Sequence, residues 1–130
     1  MLPLRYPRIW LSLGWLLVLG VIVGSLMPAP WVREITPTMN DKLMHFTAYF
    51  VLMIWFAGLY PRHKHVRVGV ALLALGAALD ILQGIATRTR SFELLDIAAD
   101  AVGIVVALLL SISLLEGWCV RVERLAARGA

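Results

Sequence analysis

Long apolar runs separated by short polar segments set the pattern of this chain. A helix crosses the hydrocarbon core of a bilayer with about 20 residues. Four runs approach that length, at about 9–27, 43–60, 68–86 and 97–115. The first carries no charge and stops at Pro28-Ala29-Pro30, where proline cannot continue a helix; the second stops at Pro61. Unpaired backbone groups are not tolerated in lipid, so each run predicts an α-helix. The expected fold class is an all-α membrane protein, a bundle of four transmembrane helices in a single domain spanning 1–130. Residues 116–130 form a basic tail.

Composition agrees with the pattern. Of the 130 residues, 61% are hydrophobic and 15% charged, more apolar than a water-soluble domain of this size. Arg5 and Arg8 precede the first run, as in a signal peptide, but its length and its proline-rich exit predict an uncleaved anchor. The single cysteine, Cys119, excludes an intrachain disulfide and is expected to be an inert thiol near the membrane surface.

Short loops rich in Lys and Arg stay in the cytoplasm. The N-terminus has Arg5 and Arg8, the loop between runs two and three has Arg62, Lys64 and Arg67, and the tail has Arg121, Arg124 and Arg128. The other two loops balance their charges. The alternation predicts both termini inside, N-in and C-in, with two extracytoplasmic loops. Trp10, Trp31, Tyr60 and Trp118 fall near the ends of runs, where amphipathic rings settle at the interface. The tail from Glu116 onward has two readings, a short interfacial helix with Trp118, Val122 and Leu125 on one side, or a segment frayed in solution. His63 and His65 lie in a basic loop without a nearby acid or thiol, which predicts a topology-setting loop rather than a metal site. No cofactor or metal is expected, and no aromatic-basic stripe points to nucleic acid.

Small residues let helices approach in lipid. Gly20 and Gly24 offer such a seam, for packing within the bundle or for a homodimer. Gly76, Asp80 and Gly84 share one face of the third run, and Ala99, Gly103, Ala107 and Ser111 one face of the fourth.

The polar residues inside the runs carry the functional signal, because ionisable groups at membrane depth are costly and face an interior or a cavity. Asp41, Lys42 and His45 open the second run, Asp80 and Gln83 lie near the end of the third, and Asp96 and Asp100 open the fourth. Residues four apart on a helix differ by about 40° in direction, so Asp41, His45 and Tyr49 share a face, and Asp96 shares one with Asp100 and Gly103. The alternating topology brings all of these to one end of the bundle, with Arg88 and Arg90 in the loop between the last two groups.

At these residues the chain resembles the VanZ-like family of bacterial membrane proteins. One family element reads here Asp41-Lys42-Leu43-Met44-His45-Phe46, with Tyr49 one turn on; the other reads Asp80-x-x-Gln83, Arg90, Asp96, Asp100 and Gly103. The resemblance covers about residues 28–110. The family usually has Glu in place of Asp80, often Asn in place of Asp100, and Pro-Gly where this chain has Arg88-Thr89. The family's founder is linked to resistance to the glycopeptide teicoplanin, so the resemblance implies a cell-envelope protein, with a membrane lipid, a cell-wall precursor or a glycopeptide as its partner.

Three function classes follow. The first is a non-catalytic protein that binds or modulates an envelope lipid or precursor on the outer side. Lys42 and Arg90 would meet a phosphate or carboxylate there, and Asp80, Gln83, Asp96 and Asp100 would position those cations or take sugar hydroxyls. The second is an enzyme acting on a lipid headgroup, with His45 as general base oriented by Asp41 or Asp80; the motifs for a nucleophile are missing, and Ser91 is the one serine near the cluster. The third is a small carrier or a structural subunit.

Overall fold

The computed structural model describes residues 1–38, 40–86 and 92–129, and the described residues are all helix and connecting turn. Six α-helices follow in order: α1 (Pro7–Leu26), α2 (Ala29–Ile35), α3 (Asp41–Leu59), α4 (His65–Ala86), α5 (Leu94–Ser113) and α6 (Trp118–Gly129). Four of them, α1, α3, α4 and α5, are long and apolar enough to cross a membrane, and the protein is a multi-pass membrane protein. The expected spans agree within a few residues at each end. The short α2 was not foreseen.

Helix boundaries follow from local chemistry. Proline at the start of α1 and α2 uses a position where the backbone N–H would lack a partner anyway. The Asn40 side chain accepts the Leu43 N–H at 2.7 Å and so starts α3 at Asp41. At the other end of α3, the buried His65 ring presents Nε2 to the carbonyls of Ala57 (3.1 Å) and Tyr60 (2.9 Å). This donor covers carbonyls that a helix C-terminus leaves bare. His63 and His65 therefore differ: His63 is exposed, whereas His65 is a structural pin between α3 and α4.

α3 is the central helix, and its closest partner is α5. Gly103 makes that approach possible. A Cβ there would run into the Phe46 carbonyl oxygen and lie 3.2 Å from Phe50 N, so only glycine lets the two backbones touch. Gly103, Ile104, Ala107 and Ser111 form the buried stripe of α5, close to the small-residue face expected from spacing. α1 lies at the edge, with only Gly14 and Val18 buried. Gly20 and Gly24 are not positions of close helix approach: a Cβ at either meets nothing within 4 Å.

A second cluster closes the opposite end. Trp10, Trp55 and Trp118 pack mutually with ring centroids 5.5–5.6 Å apart. Trp118 Nε1 donates to Ile54 O and Trp55 Nε1 to Trp10 O, at 2.9 and 3.1 Å. Trp10 and Trp118, expected as interfacial anchors, are thus bound to each other and to α3. Glu123 of α6 accepts from Arg5 N (2.5 Å), Tyr6 N (3.0 Å) and Trp10 Nε1 (2.8 Å). α6 is helical, and it clasps the start of α1.

Candidate functional site

The start of α3, the end of α4 and the start of α5 meet at one end of the bundle, and the polar residues singled out in the sequence meet there. Asp41 and Asp96 each sit in the first turn of a helix, where the positive end of the helix dipole favours a carboxylate. Asp80 has no such support and lies within the final third of α4. Asp80, Gln83, Asp96 and Asp100 are at most 3% exposed, and His45 is 7% exposed.

His45 divides the cluster into two halves. Its Nδ1 lies 2.8 Å from Asp100 Oδ1 and 3.9 Å from Asp80 Oδ1. Its Nε2 lies 3.8 Å from Asp96 Oδ2 and 3.9 Å from Asp41 Oδ2. The carboxylate that orients the ring is therefore Asp100, not Asp41 or Asp80. Asp100 was missed in that role because spacing along one helix cannot rank contacts between helices.

Lys42 serves the outer half. Its Nζ donates to Asp96 Oδ1 and, at 2.5 Å, to Glu93 Oε2, and it lies 3.9 Å from Asp41. The ammonium is thus engaged by carboxylates of its own chain. Glu93 was read only as loop charge, and its place in this ion cluster emerges from the fold. The inner half holds Asp80 and Asp100, with Tyr49 pressed against them. A Cβ on Gly76 would lie 2.5 Å from Asp100 Oδ2 and 3.2 Å from Tyr49 Oη, so glycine leaves the space both groups share. Tyr49 Oη, Asp80 Oδ2 and Asp100 Oδ2 are buried without a hydrogen-bond partner among the described residues. Arg88, Arg90 and Ser91 lie outside the described residues.

A partly open cleft of about 80 Å³ reaches this cluster between α1, α3 and α4, lined by Val21, Gly24, Ser25, Met44, His45 and Gln83. Ser25 and the end of α1 were not expected at the site. Their only signal in the sequence was a small-residue stretch, Gly24-Ser25, closing an otherwise apolar helix. No family model, no curated protein and no solved structure matches the chain.

Proposed function

We propose that the chain is a VanZ-like protein of the bacterial plasma membrane that binds the polar headgroup of an envelope lipid or lipid-linked precursor, without catalysing its turnover. The observation that carries this reading is the cleft that leads from the edge of the bundle to His45 and Gln83. It offers a headgroup polar partners below the helix ends, while the acyl chains stay against the apolar flank of α1. With Lys42 occupied by Glu93 and Asp96, the described residues of the layer are rich in acceptors. That chemistry suits hydroxyl and ammonium donors on the headgroup. The N-in, C-in orientation belongs to the same proposal: the Lys and Arg of three segments fall at the tryptophan end of the bundle, which supports an acidic layer under the outer leaflet.

Photo-crosslinking with headgroup-labelled lipid analogues tests the site. Gly24→Leu, which fills the cleft mouth at a position with open space for a side chain, should abolish labelling of the cleft residues. Gly20→Leu, one turn away and outside the cleft lining, should leave it intact. Equal labelling of all three proteins would reject the reading. Impermeant thiol reagents that reach Asp41→Cys from outside and Arg62→Cys only after permeabilisation would support the orientation, and the reverse pattern would overturn it.

A further inference from the structure

We propose that His45, Asp80 and Asp100, with Tyr49 beside them, form a binding site for a divalent cation that favours oxygen ligands, Mn²⁺ foremost. This inference does not rest on headgroup binding.

Geometry is the first support. One ligand atom from each of His45, Asp80 and Asp100 can be chosen so that all lie within 4.8 Å of one another, and all three residues are buried. In an octahedral site with bonds of about 2.1 Å, neighbouring ligands lie about 3 Å apart and opposite ones about 4 Å. His45 Nδ1 is 2.8 Å from Asp100 Oδ1 and 3.9 Å from Asp80 Oδ1, which matches one neighbouring and one opposite position.

Unsatisfied acceptors are the second, independent support. Tyr49 is 2% exposed, Asp80 1% and Asp100 0%. Tyr49 Oη, Asp80 Oδ2 and Asp100 Oδ2 make no hydrogen bond among the described residues, although buried polar atoms ordinarily find a partner. Tyr49 Oη and Asp100 Oδ2 both pack against Gly76, within 3.2 Å of where a Cβ would stand. A cation there would engage acceptors that no described donor reaches.

Charge and ring orientation agree. Two buried carboxylates beside a neutral imidazole leave a formal charge that a dication would cancel, whereas the ammonium of Lys42 is spent on the outer pair. A ligating histidine usually donates its other ring N–H to a carboxylate. With Nδ1 on the ion, Nε2 of His45 faces Asp96 and Asp41 at 3.8 and 3.9 Å. A single imidazole makes a poor zinc site. That argument does not apply to an ion content with carboxylates and one imidazole. The cleft at His45 supplies an entry path.

The test is titration of the chelator-treated protein in detergent micelles with Mn²⁺, following the electron paramagnetic resonance of the free ion together with thermal unfolding. One Mn²⁺ per chain and a rise in unfolding temperature on loading are expected. Asp80→Asn and Asp100→Asn should each weaken uptake by more than about 100-fold, the upper range for loss of an outer-shell partner, while the metal-free proteins unfold at or above the parent temperature. Asp41→Asn, in the outer pair, should bind within about tenfold of the parent, the lower end of that range. Absence of uptake at millimolar Mn²⁺, or uptake that survives both inner Asn substitutions, would overturn the proposal.

Discussion

His45 Nδ1 and Asp100 Oδ1, 2.8 Å apart and both buried, join α3 to α5 at the depth where lipid would otherwise meet two carboxylates. The contact sits one turn from Gly103, where the same two helices touch through their backbones. Polar and steric fit therefore reinforce one another along a single seam.

Removing the imidazole should expose the cost of that arrangement. His45→Ala leaves Asp80 and Asp100 buried without their shared partner, and breaking a buried pair from one side costs about 3–5 kcal/mol. Asp100→Asn keeps the shape and removes one of two neighbouring buried charges, and should leave stability at or above the parent's. Unfolding in mixed micelles, metal-free, measures both; a larger loss for Asp100→Asn than for His45→Ala would contradict the assignment.

The α3–α5 seam predicts a steric effect of similar size. Gly103→Leu drives a side chain into the Phe46 carbonyl and should destabilise by about 3 kcal/mol. Gly20→Leu, with open space around it, should change stability by less than about 0.5 kcal/mol. The same unfolding assay ranks the two.

Glu123 predicts a pH dependence. Desolvation works against its charge. The N–H groups of Arg5, Tyr6 and Trp10, with the Arg5 charge, nevertheless hold its carboxyl below the ordinary 4.5. A depressed carboxyl stabilises the folded state above its unfolded value and loses that contribution as pH falls through the folded value. Amide protection factors at Arg5 and Tyr6 should thus stay high at neutral pH and fall as pH drops below the ordinary 4.5. In Glu123→Gln the protection should be lower at neutral pH and nearly flat in acid. A parent profile without an acid step would reject the clasp.

Cys119 predicts silence toward thiol reagents. It is fully buried, and burial, with the Glu123 charge beside it, pushes the thiol up to about 12. Thiolate is the reactive form, so maleimide at pH 7.5 should modify the native protein negligibly and the unfolded chain fully. Rapid labelling of the native protein would show that α6 does not cover it. Silence also leaves the parent cysteine in place as a quiet background for topology mapping.

Much of this was legible in the sequence. Four apolar runs give four helices because lipid leaves a helix no alternative, and spacing by three and four residues placed Asp41 with His45 and Asp96 with Asp100. What escaped was everything that depends on rotation of one helix against another. Spacing could not tell that Asp100, rather than Asp41, would face Nδ1, or that Lys42 would turn toward Glu93. It could not show that His65 reaches back to the Ala57 carbonyl while His63 stays in solvent. The tryptophan cluster escaped for a related reason: an aromatic ring near a helix end suits the lipid interface and a neighbouring ring equally well, and Trp55 gave no sign that it would gather the other two.

The clasp at Trp10 gives α1 mechanical leverage. Ser25 stands 15 residues further along the helix, about 22 Å at 1.5 Å per residue. A lean of about 5° about the tryptophan end would swing Ser25 sideways by about 2 Å. A small tilt of the outermost helix, driven by the thickness or lateral pressure of the surrounding bilayer, would thus widen or narrow the way to His45 while the rest of the bundle stays still.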